Sequence, residues 1–135
     1  DEAALSAALA DFAACLRPGG LLLLQNRNFD AVLAHSQRWM EPQFHSSGEA
    51  DALFIRFYDF EPDGSLTFNM LTLQRQADAP WQQHSTATRL YPLTYSILTR
   101  ALDETGFLDI QAYGSLADTP FDPHASPNLV LAAKK

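Results

Sequence analysis

The sequence predicts an α/β fold that carries an inserted antiparallel β element. Near the start, a helix pattern is followed at once by a Pro-Gly-Gly turn and a run of four leucines at residues 21–24. In the middle, two runs of aromatic and aliphatic residues are separated by Pro-Asp-Gly at residues 62–64. With 135 residues, 47% of them apolar and 19% charged, the chain is long enough for one ordinary domain with an apolar core.

The first predicted element is a helix over residues 2–16, because apolar residues recur there at helical spacing. These residues are Leu5, Leu9, Phe12 and Leu16. The Pro-Gly-Gly turn ends the helix, since proline cannot continue it and glycine accepts a left-handed conformation. The leucine run that follows does not alternate with polar residues, which is typical of a central parallel strand buried on both faces.

The next segments predict three antiparallel strands, at residues 52–60, 65–74 and 81–91. The first two form a hairpin, because the Pro-Asp-Gly sequence between them favours a tight turn. The segments before and after these strands both have an α/β pattern. We therefore interpret the three strands as an insertion in an α/β sheet.

The last part of the chain returns to the α/β pattern. A second helix begins at Pro92 and ends at Gly106. Strands follow at residues 107–113 and 128–133, separated by a loop that contains three prolines.

Charge and composition exclude several classes of function. Acidic residues outnumber basic ones 16 to 9, for a formal charge of -7, so nucleic acid is not an expected partner. No apolar run approaches the roughly 18 residues of a membrane span, and no signal peptide opens the sequence, so no membrane partner is expected. The histidines lack the spacing of metal ligands, so no metal is expected.

The single cysteine, Cys15, fits a cytoplasmic location because it cannot form an internal disulfide. Its small apolar neighbours favour a buried structural role over a catalytic thiol.

The order of elements resembles the C-terminal half of a class I S-adenosylmethionine-dependent methyltransferase. The resemblance rests on Leu-Arg-Pro-Gly-Gly-Leu-Leu-Leu at residues 16–23, Thr-Gly-Phe at 105–107 and the final apolar run at 128–134. These look like the junction before the family's fifth strand, its sixth strand and its seventh strand. The resemblance implies a Rossmann-like sheet in which the seventh strand is antiparallel and lies between the fifth and sixth. Residues 36–91 would then form an inserted antiparallel element on the substrate side.

A closer likeness is to the glycine/sarcosine N-methyltransferase branch. It rests on Asn-Arg-Asn-Phe-Asp at residues 26–30, the three-strand insertion, and Arg-Leu-Tyr-Pro at residues 89–92. The sequence departs from that branch at Met70, where a tyrosine is expected. This difference counts against glycine itself as the methyl acceptor.

The resemblance implies S-adenosylmethionine as the cofactor, but most of its site is not found in these residues. The family holds the cofactor with a glycine-rich loop after its first strand and an acidic residue at the end of its second. The pair Gly19-Gly20 follows a helix rather than a strand, so it does not match that loop. We therefore expect the main cofactor loop upstream of Asp1, with Asp1 marking a cut inside the domain. We also expect these 135 residues alone to be inactive and not to bind the cofactor measurably.

Methyl transfer from a sulfonium is an in-line displacement, so the residues to seek are those that hold a small polar acceptor. Arg27 follows the leucine-rich strand, at the sheet end where open α/β folds bind ligands, and its guanidinium suits a carboxylate. The resemblance also implies a carboxylate-binding arginine there. The alternative is a surface ion pair with Asp30. By resemblance Tyr91 reaches the substrate pocket, and the alternative is a packed aromatic with a hydrated hydroxyl.

Further substrate-binding candidates are polar residues near these positions. Asn28 could orient the substrate, as could Gln25, although hydrogen bonding within the loop explains both equally well. Arg56, Tyr58 and Asn69 interrupt apolar strands, and alternation places Arg56 and Tyr58 on one face. That face either lines a pocket or, as the simpler expectation, is the solvent-exposed side.

Two other functions are compatible with the sequence. One is a non-enzymatic binding or oligomerisation module that keeps only this half of the fold. The other is an antiparallel ligand-binding domain with an accidental likeness to methyltransferases. Because an apolar strand at a sheet edge invites association, we expect residues 21–24 to pair with another chain, as in a homo-oligomer.

Overall fold

A computed structural model describes residues 1–135, which divide into two compact units. Asp1–Ser36 together with Leu93–Lys135 form the α/β unit, and Gln37–Pro92 form the β unit. None of the helices combines the length and hydropathy that a membrane crossing requires.

The structure confirms the predicted α/β class and adds two elements that the sequence analysis does not contain. The additional elements are α2 and β2. In chain order the elements are α1 (Glu2–Cys15), β1 (Leu21–Arg27), α2 (Phe29–Ala34), β2 (Gln43–Ser46), β3 (Ala50–Phe60), β4 (Leu66–Gln76), β5 (Gln82–Leu90), α3 (Tyr95–Glu104), β6 (Leu108–Tyr113) and β7 (Asn128–Lys134).

The sheet of the α/β unit has the strand order β1-β7-β6, and both pairings are antiparallel. The last strand of the chain is therefore the central one, as the resemblance implies. Helices α1 and α3 pack on one face of this sheet and enclose the core with side chains of β7. The most buried members of that core are Leu9, Leu98, Leu102, Phe107, Leu129 and Leu131.

The prediction that the leucine run forms a central parallel strand buried on both faces is wrong for this chain. Strand β1 lies at the edge of the sheet, and its partner β7 is antiparallel. Leu22 and Leu24 pack against the core beneath the helices, whereas Leu21 is 62% exposed and Leu23 is 54% exposed. Alternate residues of a strand point to opposite faces, and here only one face is covered.

Helix α1 also differs from its predicted apolar face. Leu5, Leu9 and Leu16 contribute to the core with Ala13, while Phe12 is 45% exposed. Cys15, predicted to be a buried filler, is exposed. At 3.6 residues per turn, the stripe centres near Leu9 and Leu16, so Phe12 lies at its margin and Cys15 beyond it.

The turn between α1 and β1 is joined to the last residue of the chain. Gly19, with a φ of 75°, donates its N–H to the Lys135 carbonyl at 2.8 Å, and Lys135 donates to the Gly20 carbonyl at 2.9 Å. The Lys135 ammonium also donates to the Leu16 carbonyl at 2.7 Å. The residue after β7 is thus fastened to the turn before β1, and its basic side chain satisfies a carbonyl at the C-terminus of α1.

The β unit is one antiparallel sheet of four strands in the order β2-β3-β4-β5, where three strands were predicted. Strands β3 and β4 form the predicted hairpin, with Gly64 at a φ of 81° in its turn. The Asp63 carboxylate accepts from the Ser65 N–H at 3.1 Å and from the Ser65 hydroxyl at 2.7 Å, which fixes the turn. Strand β2 was not predicted, because it is only four residues long and exposed throughout. It therefore lacks the alternation of apolar and polar residues that indicates a half-buried strand.

Candidate functional site

Arg27 is the last residue of β1, at the carboxyl end of that strand. Its side chain is half-buried, and its Nε atom is shielded from solvent. A guanidinium held partly out of water can form two parallel hydrogen bonds to a carboxylate, and such charge-assisted bonds are stronger where solvent is excluded. The position therefore suits recognition of an anionic group.

Asn28, the next residue, is 1% exposed, and its side chain forms hydrogen bonds within the fold. Its amide nitrogen donates to the carbonyls of Ser126 at 2.8 Å, Pro123 at 3.1 Å and Asp122 at 3.3 Å. Its amide oxygen accepts from the Ala31 N–H and caps α2. This geometry matches the loop-bonding alternative, and the substrate-binding role of Asn28 stays a prediction.

Two further side chains, one at the end of β1 and one in the first turn of α2, bond to the segment where α3 starts. Asp30 accepts a hydrogen bond from the Tyr95 N–H at 2.8 Å, and Asn26 donates to the Leu93 carbonyl at 3.3 Å. A carboxylate near the first N–H groups of a helix is favourable there, and Thr94 supplies no side-chain cap of its own. Helix α3 begins at Tyr95 rather than at the predicted Pro92, with Thr94 extended at its N-cap.

These contacts could not be predicted from the sequence, because most of the acceptors are backbone carbonyls of a distant loop. Every residue has a backbone carbonyl, so residue types do not show which carbonyls accept these bonds. The one sequence feature that pointed to them was an asparagine shortly after a predicted strand. Gln25, the other flanking candidate, is exposed.

In the β unit, Arg56 and Tyr58 share one face of β3, as alternation predicts. Met70 lies opposite Arg56, and Phe68 lies opposite Tyr58 with ring centres 5.7 Å apart. Tyr58 is 4% exposed, so the expectation of a solvent-exposed face is not met at that residue. The Nε atom of Arg56 is buried and makes no hydrogen bond within the chain, an unusual state for a guanidinium nitrogen.

Asn69 lies on the opposite face of the same sheet, because its partner in the register is Phe57. Its amide donates to the Asp59 carboxylate at 2.8 Å and to the Thr67 carbonyl at 3.3 Å. Tyr91 follows the last residue of β5 and is 38% exposed. Asn69 therefore does not share a face with Arg56 and Tyr58, and its binding role stays a prediction, as does that of Tyr91.

A cavity of about 600 Å³ opens at the other end of the β unit, near the turn between β4 and β5. None of the predicted site residues lines it. Its charged members are already paired: Arg75 contacts Asp51 at 2.7 Å and stacks on the Trp81 ring at 4.8 Å. The Ser46 hydroxyl and the Arg75 guanidinium hold the pKa of Asp51 below its ordinary value, so this cluster satisfies its own charges.

The chain does not by itself fit S-adenosylmethionine. The direct strand-to-helix junction from β1 to α2 passes through Asn28 and contains no glycine. Two of the glycines with positive φ, Gly19 and Gly106, follow helices, and Gly64 lies in a hairpin turn. A loop that cradles a nucleotide needs glycines between a strand and a helix, and no such loop is present. No three histidine, cysteine or acidic side chains are grouped as a metal site requires.

Comparison with known proteins identifies the fold. The sequence matches no known family profile and no curated protein. The structure is similar to DesVI from Streptomyces venezuelae, with a TM-score of 0.73 and 14% identity over 97% of this chain and 51% of that one. It is similar to an S-adenosylmethionine-dependent methyltransferase from Clostridium acetobutylicum, with a TM-score of 0.69 and 11% identity over 99% and 52%.

A third similar structure is the CcbJ methyltransferase from Streptomyces caelestis, with a TM-score of 0.58 and 15% identity over 93% of this chain and 50% of that one. In each comparison nearly all of this chain spans about half the length of the other protein. The 135 residues therefore have the fold of about half of a class I S-adenosylmethionine-dependent methyltransferase.

Proposed function

We propose that this chain is the acceptor-binding half of an S-adenosylmethionine-dependent methyltransferase that acts on a small polar molecule in the cytoplasm. The observation that carries the proposal is the fold comparison, in which 97% to 99% of the chain is similar to about half of two larger proteins, one of them such a methyltransferase. The order of elements at both ends of the chain supports the same assignment.

The acceptor that best suits the site is a small amine that also carries a carboxylate. Arg27 supports this choice, because its partly shielded guanidinium at the end of β1 can bind a carboxylate in a two-bond geometry. The likeness to the glycine/sarcosine N-methyltransferase branch points to the same class. Met70 in place of the tyrosine expected in that branch favours an acceptor other than glycine.

The β unit supplies a second group of substrate-binding candidates in this proposal. Arg56 carries a buried guanidinium nitrogen without a hydrogen bond inside the chain, so an anionic or polar group bound beside this guanidinium would offset the cost of burying it. Tyr58 shares its face, and Tyr91 follows β5. Residues in this role position a polar ligand and need not exchange protons or form a bond with it.

The cofactor loop belongs, in this proposal, to a part of the protein outside these 135 residues. The open edge of β1 and the exposed leucines Leu21 and Leu23 support that view. A further strand paired with β1, together with a helix on that face, would cover both and explain why residues 21–24 are all apolar.

The proposal is tested in the intact protein by replacing Arg27 with alanine and with lysine. Loss of a charge-assisted hydrogen-bonded contact costs about 1.5–3 kcal/mol, so R27A is expected to raise the acceptor KM roughly 10- to 100-fold. Affinity for S-adenosylmethionine, measured by calorimetry, is expected to stay unchanged. Lysine keeps the charge but not the two-bond geometry and should restore part of the affinity.

The matched control is Arg17→Ala, which removes an exposed arginine in the turn that precedes β1. An unchanged acceptor KM in R27A would remove Arg27 from the site. If the intact protein neither binds the cofactor nor methylates any amine or amino acid in a panel, the alternative of a non-enzymatic module is correct.

A further inference from the structure

The two faces of the β-unit sheet differ in how far they are covered. The face that carries Arg56 also holds Tyr58, Leu66 and Thr72, which are 4%, 1% and 7% exposed. The opposite face, which we call the open face, contains no buried residue. Its apolar members are Trp39, Phe44, Leu53, Ile55, Phe57, Leu71, Leu73 and Ala87.

The apolar residues of β2, β3 and β4 form a continuous surface at the centre of the open face, because they are lateral neighbours in the strand register; β5 borders it with mostly polar residues. Leu53 lies opposite Phe44 on one side and Leu73 on the other, and Ile55 lies opposite Leu71. At its margin Trp39 is 58% exposed and Phe44 is 59% exposed. Contiguous apolar patches of this kind mark interaction surfaces on soluble proteins.

One side of the patch carries a preorganised aromatic cluster. The Trp39 and Phe57 rings have centres 4.8 Å apart, and the Arg38 guanidinium lies 5.6 Å from each ring centre. The same guanidinium pairs with Asp59 at 2.5 Å. Tryptophan and arginine residues held in place before association are the side chains that dominate binding energy in protein interfaces.

The charges of the open face balance, although the whole chain has a formal charge of -7. Asp51 pairs with Arg75 at one end. At the other end Asp59 pairs with Arg38, and Arg89 of β5 pairs with Asp63. A face that is apolar in its centre and neutral at both ends has no electrostatic attraction for a strongly charged partner. It can meet an identical face without like-charge repulsion.

The size of the face suits a dimer interface. Strands about 4.8 Å apart, rising about 3.3 Å per residue, give this four-stranded sheet a flat area of roughly 600 Å², and projecting side chains add to it. Stable interfaces bury about 800 Å² on each partner.

We propose that the open face is the contact surface of a homodimer in which the β-unit sheets of two copies pack face to face. Sheets packed in this way lie about 10 Å apart, with interdigitating side chains from the two inner faces forming a common core. Trp39 and Phe57 are its anchors, and the Arg38–Asp59 and Arg75–Asp51 pairs form its polar rim. This inference does not depend on the methyltransferase assignment.

The test is sedimentation velocity and light scattering on the intact protein and on three single variants. Leu71→Glu places a charge at the centre of the open face, and Phe44→Glu places one at its exposed margin, where the fold of a single copy does not need the ring. We expect the unchanged protein to be a dimer, and both variants to be monomers at the same concentration with an unchanged circular dichroism spectrum. Leu116→Glu is the control, because Leu116 is equally exposed, at 65%, but lies in a loop of the α/β unit.

A further variant separates this interface from association through the edge of the other sheet. Leu23→Glu alters β1 and is expected to leave the dimer intact. Dimer loss in Leu23→Glu with retention in Phe44→Glu and Leu71→Glu would place the contact at β1 and overturn the proposal. A monomeric unchanged protein at high micromolar concentration would overturn it as well.

Discussion

The α/β unit and the β unit use their apolar residues differently. Of the 14 buried apolar and aromatic residues, 12 lie in the α/β unit, and Tyr58 and Leu66 are the two in the β unit. The β unit nevertheless contains the longest strands, β3 and β4, with 11 residues each. A sheet covered by helices encloses its side chains within the same unit, whereas a sheet with an open face leaves them for contacts outside it. Apolar residues therefore indicate strands in both units. They indicate buried side chains mainly in the α/β unit.

The largest expected difference between the units is the cost of removing a leucine side chain. Leu102 is 0% exposed in the α/β core, so Leu102→Ala is expected to lower the free energy of unfolding by about 2–5 kcal/mol. Leu73→Ala on the open face should cost less than about 1 kcal/mol in the monomeric background of Phe44→Glu. Denaturant unfolding of both variants measures the difference. Equal losses would show that the open face is packed as tightly as the core.

A smaller difference is expected for the two asparagines predicted to bind substrate. Asn28→Ala leaves three loop carbonyls and one helix N–H without their partner in a buried position, so we expect a loss of about 1–3 kcal/mol. Asn69→Ala removes contacts at a half-buried sheet position and should cost less than about 1 kcal/mol. If Asn28→Ala instead unfolds like the unchanged protein while weakening acceptor binding, its role is in the site rather than in the scaffold.

The smallest expected effect is a difference in pH dependence. In the β unit, the Ser46 hydroxyl and Arg75 hold the pKa of Asp51 below 3.8, so its carboxylate stabilises the fold above that pH and the stabilisation is lost as acid protonates it. In the α/β unit, the hydrogen bond to Asp109 raises the pKa of Lys134 above 10.5. That stabilisation is present below 10.5 and is lost as the pH rises further.

Thermal unfolding across pH checks both signs. The stability difference between the unchanged protein and Asp51→Asn should be present at about pH 6 and become smaller as the pH falls below 3.8. The difference for Lys134→Met should be present at about pH 8 and vanish in strong alkali. Both effects are small, because the Lys134–Asp109 pair is exposed and the Asp51–Arg75 pair is only partly buried. A difference for Asp51→Asn that grows in acid would contradict the assigned direction.

Local patterns predicted most of the elements, because helix periodicity, turn residues and apolar runs are properties of neighbouring residues. The Pro62-Asp63-Gly64 turn and the hairpin around it follow directly from such patterns. Helix α2 was missed because it is six residues long, and its start depends on Asn28 bonding to a loop nearly a hundred residues away.

Features that depend on the third dimension could not be derived in this way. The sequence of β1 indicates a strand but not which of its faces is covered, so Leu21 and Leu23 were predicted to be buried and are exposed. For the candidate site, residue type indicated Arg27 at a strand end. Only the register shows that Asn69 and Arg56 lie on opposite faces of the sheet.

The central position of β7 has a consequence for how the protein is made. Strands β1 and β6 are held together only through β7, and β7 is the last of the seven strands to leave the ribosome. The β unit pairs strands that follow one another in the chain, so its sheet can form during synthesis. The sheet of the α/β unit cannot form until residues 128–134 have been synthesised, so its core residues stay exposed to solvent until then.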